Sequence, residues 1–140
     1  MPIQIEITSL EKSADDIRKI RQAVFVEEQG IDPALEWDEL DSSAKFIIAK
    51  DSIAGPVGTA RFFVDGNIGR MAVLEEWRNQ GIGGDILATI IQHARSSNIH
   101  KLHLSAQQSA IRFYKNNDFN CQGAAYLEAN IVHQYMIRAL

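Results

Sequence analysis

The sequence predicts a mixed α/β fold, a mostly antiparallel central sheet with helices on both faces. Three observations carry this expectation. Residues 44–74 hold three consecutive strand-like runs separated by turn residues. At 81 the apolar period lengthens to that of a helix, with Ile82, Ile86, Leu87, Ile90, Ile91 and Ala94 on one stripe. A further strand, "KLHLSA" (101–106), follows that helix, so 68–106 reads as a parallel, right-handed strand–helix–strand unit.

Each element has its own signal. "IQIEI" (3–7) alternates apolar and polar residues as a short strand does. Thr8 with Glu11, and more weakly Ser13 with Asp16, have capping-box spacing and start a helix. Its apolar face runs through Ile17, Ile20, Ala23, Val24 and Phe25 to about Glu28. "QGIDPALEWDELDSSA" is polar and turn-rich, with one helical turn around 33–36. The meander then consists of "AKFIIAKD" (44–51), "VGTARFFV" (57–64) and "IGRMAVL" (68–74), with "DGN" (65–67) as a tight hairpin turn. After the long helix and its strand come a short helix over 109–117, a strand running into a loop over 119–127, and a closing strand over 130–139.

Size and composition bound the rest. A chain of 140 residues suffices for one domain, 1–140, and not for two. With 46% apolar and 23% charged residues it has the balance of a globular protein. No apolar run reaches the roughly 20 residues of a membrane span, and "MPIQIEITSL" does not read as a secretory leader. The single cysteine, Cys121, excludes an internal disulfide framework and fits a reducing cytoplasm. A net charge of −4 argues against nucleic acid as a partner, because phosphate binding wants a basic face. A metal site is not expected: His93, His100 and His103 lack ligand spacing, and one cysteine builds no thiolate cluster.

The informative stretch is "RMAVLEEWRNQGIGGDILATIIQHAR" (70–95). Gly81, Gly83 and Gly84 fall in the first turn of a helix, where each costs about 0.5–1 kcal/mol relative to alanine. Bare backbone there exposes the unpartnered first N–H groups, at the positive end of the helix dipole, to phosphate oxygens. The plainer reading is that the glycines only permit a tight strand-to-helix turn. Three in four residues after Arg78 favour anion binding. A P-loop requires a Lys followed by Ser or Thr, and a Rossmann fingerprint requires a third glycine where Ile86 stands; both fail. The surviving pattern is R-x-x-G-x-G, from Arg78, Gly81 and Gly83.

That pattern resembles the GNAT superfamily of N-acetyltransferases, in which Q/R-x-x-G-x-G/A cradles the pyrophosphate of acetyl-CoA. "RQAVFVEEQGIDPALEWDELD", "VGTARF", "GRMAVLEEWRNQGIG", "LSAQQSAIRFYKNNDF" and "YLEANIVHQYM" extend the resemblance over nearly the whole chain, toward the YjcF/ElaA-like branch. The resemblance implies transfer of an acetyl group from acetyl-CoA to the primary amine of a small molecule or peptide, by direct attack in a ternary complex. It assigns Arg78, Asn79, Gln80, Gly81, Ile82, Gly83 and Gly84 to the cofactor cradle and Met71, Ala72 and Val73 to the pantetheine arm, with the Val73 N–H on the thioester oxygen. Tyr114, in "AIRFYKNNDF", is implied as general acid, with Phe113 beside it. Asp118 replaces the family's glycine, which puts the following turn in question.

Other assignments stay open at this level. Gln107 either bonds the cofactor amide or caps a helix. Seven carboxylates crowd 27–41, either as a solvated loop or as an attractor for a cationic amine. Glu28 is the first choice among them for substrate contact and base. Trp37 forms an apolar wall of the acceptor site or packs inside. Glu128 and His133 resemble the branch's terminal motif and would close the acceptor pocket, although a lone strand histidine is more often structural. A homodimer is compatible with the resemblance. The competing functional class is a catalytically silent acyl-CoA-binding sensor or interaction module on the same fold.

Overall fold

Strands that are apolar on both faces need cover on both sides. Phe46, Ile47, Ile48 and Ala49 are all fully buried although neighbours point to opposite faces. The computed structural model, which describes residues 3–140, shows how they are covered. Strands β1 (Ile3–Thr8), β2 (Lys45–Asp51), β3 (Gly55–Phe62), β4 (Asn67–Val73), β5 (Lys101–Gln107), β6 (Asn120–Cys121), β7 (Tyr126–Glu128) and β8 (Ile131–Ala139) form one sheet. Its order is β1-β2-β3-β4-β5-β8-β6, with β7 also on β8. Among the described residues only β4 and β5 run parallel; every other neighbouring pair is antiparallel. The fold is thus the mixed, mostly antiparallel sheet that the sequence predicts.

On one face, α1 (Leu10–Arg21) packs Ile17 and Ile20 onto Phe46, Ile48 and Ala72. On the other, α3 (Ile82–Ser96) buries its Ile82, Ile86, Leu87, Ile90 stripe against Ile47, Val57, Ala60 and Leu104. The β3–β4 hairpin turn lies against the start of β5. Gly66 has φ +92°, and a Cβ there would stand 2.0 Å from the Lys101 carbonyl oxygen, so no other residue fits.

Several details depart from expectation. The N-cap of α1 is Ser9, whose hydroxyl accepts from the Lys12 N–H at 3.3 Å; Thr8 instead bonds the Ser13 hydroxyl at 2.7 Å. Helix α1 widens into a π-helical segment, Gln22–Glu28, which lets the adjacent Val24 and Phe25 both turn inward. The strand expected over 119–127 is broken at Gly123 (φ +81°) into β6 and β7, both on one edge of β8. The short helix is α4 (Ile111–Lys115), preceded by a single 3-10 turn.

The acidic loop is held by arginines rather than by water. Arg21, with no exposed surface, donates from Nε to Glu36 at 2.6 Å and from its terminal nitrogens to Asp41 at 2.9 and 3.3 Å. A further donation, to the Glu36 carbonyl at 2.7 Å, fixes α2 (Pro33–Glu36) to α1. Arg61 of β3 joins Asp38 at 2.9 Å and Asp41 at 3.0 Å. Burial lifts the Glu36 carboxyl above the ordinary range despite Arg21 beside it. At Asp41 burial acts the same way but is outweighed by hydrogen bonds from Arg21 and Arg61, so its carboxyl lies below the usual range.

Removing one member of a buried charge network leaves the others unpaired. Arg21→Met is expected to lower unfolding free energy by about 3–5 kcal/mol, read from urea denaturation. A loss below about 1 kcal/mol, the size of an exposed pair, would show that the network adds nothing to the fold.

Candidate active site

Strands β4 and β5 part soon after they meet. Their pairing is limited to Asn67 with His103 and Ile68 with Leu104, although β4 continues to Val73 and β5 to Gln107. The cause is visible in β4. Between Thr59–Ala72 and Arg61–Gly69 the register shifts, placing an extra residue on β4, and Arg70 takes φ +48°. A bulge of this kind bends its strand. Arg70 is tethered to the acidic loop, to the Leu35 carbonyl and Asp38 at 3.4 Å each, with Glu36 at 3.7 Å.

Two of the expected site groups can be placed relative to this parting. Leu74 N–H bonds the Val57 carbonyl at 2.9 Å, so by the antiparallel alternation Val73, one residue earlier, turns its N–H and C=O away from β3. Tyr114, on α4 below the end of β5, directs its hydroxyl to the Met71 sulfur at 3.6 Å. Its ring is only 7% exposed, wedged edge-on between Phe113 and Phe119. Burial pushes the phenol far above its ordinary proton affinity, so Tyr114 is a donor at neutral pH. Met71 and Val73 rest against the α3-side core, whereas Ala72 is buried on the α1 side.

The three glycines after β4 have three different local meanings. Gly81, the N-cap of α3, has φ +85°, a conformation other residues rarely take. At Gly83 a Cβ would meet the Phe113 ring at 3.2 Å. Gly84 has an ordinary helical φ and nothing within 4 Å of the place a Cβ would occupy. No intramolecular packing therefore requires it. The first main-chain amide of α3 bonded back to the cap is Asp85, to Gly81 at 3.0 Å, and no side chain caps the helix. The N–H groups of Ile82, Gly83 and Gly84 are left without helical partners. Asn79 (φ +62°) and Gln80 are exposed beside them, and Asp85 points to solvent.

Arg78 and Glu28, assigned to opposite halves of the site, form a pair. The guanidinium donates to both Glu28 oxygens at 2.6 Å and from Nε to the Val73 carbonyl at 2.9 Å. Beside Glu28 lies an open surface cavity of about 330 Å³, between the π-helical segment and the turn after β4. Ala23, Val24 and Leu74 form its apolar part, and Glu27, Glu28, Glu75 and Glu76 its acidic part.

The remaining acceptor-side candidates divide into two groups. Gln107 exchanges two hydrogen bonds with Gln29, at 2.8 and 3.1 Å, and lies opposite His133 on β8. His133 is buried, its Nδ1 on the Ile131 carbonyl at 2.7 Å, its ring stacked on Tyr126, and its Nε2 3.5 Å from exposed Glu128. Tyr126 in turn bonds the Ser105 hydroxyl. Trp37 stands apart with the buried network, its ring 4.3 Å from the Arg21 guanidinium. Nothing around Gln29 in the sequence signals its pairing with Gln107. Asp118 takes φ +67°, the left-handed conformation a glycine would supply, and Phe119 N–H still closes onto the Tyr114 carbonyl at 3.0 Å. Among the described residues no three His, Cys, Asp or Glu side chains gather closely enough to hold a metal ion, and no helix is long and apolar enough to cross a membrane.

This architecture has counterparts among known proteins. The family model of the acetyltransferase (GNAT) domain matches residues 12–140. The uncharacterized N-acetyltransferase YjcF of Bacillus subtilis (strain 168) is 30% identical over 136 residues, covering 94% of this chain and 96% of that protein. An acyl-CoA N-acyltransferase from Pseudomonas aeruginosa superposes with a TM-score of 0.87 at 25% identity, over 99% of this chain and 100% of its own. Escherichia coli ElaA shares the fold with a TM-score of 0.84 at 22% identity, over 98% of this chain and 99% of its own. Matched by the family model over most of its length and related to YjcF over nearly all of it, the chain belongs to the GNAT acetyltransferase family.

Proposed function

We propose that residues 1–140 act as one N-acetyltransferase domain, using acetyl-CoA to acetylate the primary amine of a small molecule or peptide in a ternary complex. The observation that carries this reading is Gly84: a helix glycine with open space over it, beside three main-chain N–H groups without helical partners. Such a cradle suits a diphosphate, and the Pseudomonas neighbour is named for an acyl-CoA donor. Bound there, acetyl-CoA would supply the thioester carbonyl to the gap between β4 and β5.

In this reading the chain does four things. Amides of Ile82, Gly83 and Gly84 hold the diphosphate and so fix the position of the reacting end. The Val73 N–H, turned into the gap, donates to the oxygen that gains charge as the amine attacks. Tyr114 gives its proton to the departing sulfur, a task its burial fits because it stays protonated. Glu28 stays ionised because Arg78 bonds it, which outweighs burial. With Glu27, Glu75 and Glu76 around the cavity, it attracts the ammonium form of the acceptor. A carboxylate of lowered proton affinity keeps a proton poorly, so the proton of the attacking amine passes on to water. Direct attack needs no acyl-enzyme, and Cys121 is exposed on β6, outside the gap.

Two variants test the reading. Gly84→Ala should raise unfolding free energy by about 0.5–1 kcal/mol, as alanine does for a helix glycine with room for a Cβ, yet weaken coenzyme A binding measured by calorimetry. Equal affinity in the variant would remove the diphosphate from this turn. Tyr114→Phe should lower kcat with an accepted amine by about 100-fold or more with little change in coenzyme A affinity. Undiminished turnover would assign the acid role elsewhere. Tight coenzyme A binding with no thiol release across an amine panel would instead favour a silent acyl-CoA sensor.

A further inference from the structure

The proposed function uses Glu28 at the acceptor cavity and a diphosphate at the head of α3, and Arg78 lies between them in sequence and in space. Resting on that reading, we propose that Arg78 is a positioning residue of the acceptor side, clamping Glu28 to the end of β4, and not a ligand of the diphosphate.

The geometry of its bonds is the argument. Both terminal nitrogens meet the two Glu28 oxygens in parallel at 2.6 Å, the forked arrangement in which guanidinium and carboxylate bind most strongly. The third edge, Nε, is taken by the Val73 carbonyl at 2.9 Å. Reaching a diphosphate would break all three bonds and leave the Val73 carbonyl and the Glu28 carboxylate without this donor. Nor does the cradle need the guanidinium, since it already offers main-chain N–H groups at a helix start. What does need a cation is Glu28. It ends the π-helical segment, with Glu27 beside it and Glu75 and Glu76 across the cavity from the turn after β4. Arg78 is the cation that bonds its carboxylate there, holding it below the ordinary range against burial.

The clamp also fixes distance. The same guanidinium that orients the carboxylate holds the carbonyl of Val73, whose N–H faces the gap. The point where an ammonium is attracted and the point where oxygen charge develops are thereby tied through one rigid, planar group.

The test combines calorimetry of coenzyme A with a ¹³C-carboxyl NMR titration of Glu28. In Arg78→Gln, coenzyme A affinity should stay within about threefold of wild type, where loss of a charge-assisted phosphate contact would cost about tenfold or more. The Glu28 titration should rise from its depressed position into the ordinary glutamate range. Two measurements do not depend on that variant folding. Saturating wild type with coenzyme A should leave the Glu28 titration where it was, and Glu28→Gln should bind coenzyme A within about threefold of wild type. An upward shift of Glu28 on coenzyme A binding, a tenfold loss in Arg78→Gln, or a tenfold gain in Glu28→Gln would each overturn the clamp and give Arg78 to the diphosphate. Wild type that binds no coenzyme A would reject the proposed function, while the Glu28 titration in Arg78→Gln would still decide the clamp.

Discussion

The separation of β4 from β5 is the constraint on which the rest of the site depends. A parallel pair that stayed hydrogen-bonded to its ends would bury the Val73 N–H in the ladder. Two paired residues suffice to hold the halves of the sheet together, because β1–β4 are covered by α1 and α3 while β5 is secured along its whole length by β8. The opening is bought with one non-glycine residue, Arg70, at positive φ. Its side chain is tied to Leu35, Glu36 and Asp38, so the loop that carries α2 supports the bulge that opens the sheet.

That dependence gives the buried arginines a second meaning. Ion pairs in an interior contribute little net stability compared with apolar packing, and here three guanidinium groups face three carboxylates while Nε of Arg61 and of Arg70 is left without a hydrogen bond. Apolar side chains would fill the same volume without fixing where Asp38 and Glu36 lie relative to Arg70. The network therefore acts on placement. The chain from Arg21 in α1, through Asp41 and Asp38, to the bulge in β4 is continuous in hydrogen bonds.

How much of this the sequence discloses depends on whether the signal is local. The α3 stripe, the meander and the turn at Gly66 are legible because period and turn chemistry act over a few residues. The glycine cluster is legible as a group, but the separate reasons for Gly81, Gly83 and Gly84 appear only once Phe113 is placed in space. Arg21 defeats sequence reasoning: an arginine in the last turn of a helix ordinarily points to solvent, and its partners Glu36 and Asp41 come from a loop that looks solvated. The Glu28–Arg78 pair joins positions 50 residues apart, so no spacing announces it. In the β7–β8 turn, Ala129 and Asn130 both have positive φ, and alanine gives no hint of that. At Asp118, conversely, a residue that tolerates the left-handed region keeps the turn that a missing glycine put in question.

The matched charges around Arg21 have a consequence for anyone wishing to retarget the protein. The segment 32–43 joins the π-helical segment to β2 and is a natural stretch to exchange for one from a relative. Yet a graft that lacked acids at 36, 38 and 41 would strand arginines on α1, β3 and β4 at once, and with the last of these it would slacken the bulge. This loop can be rewritten only as a set, with donor loop and recipient arginines transplanted together.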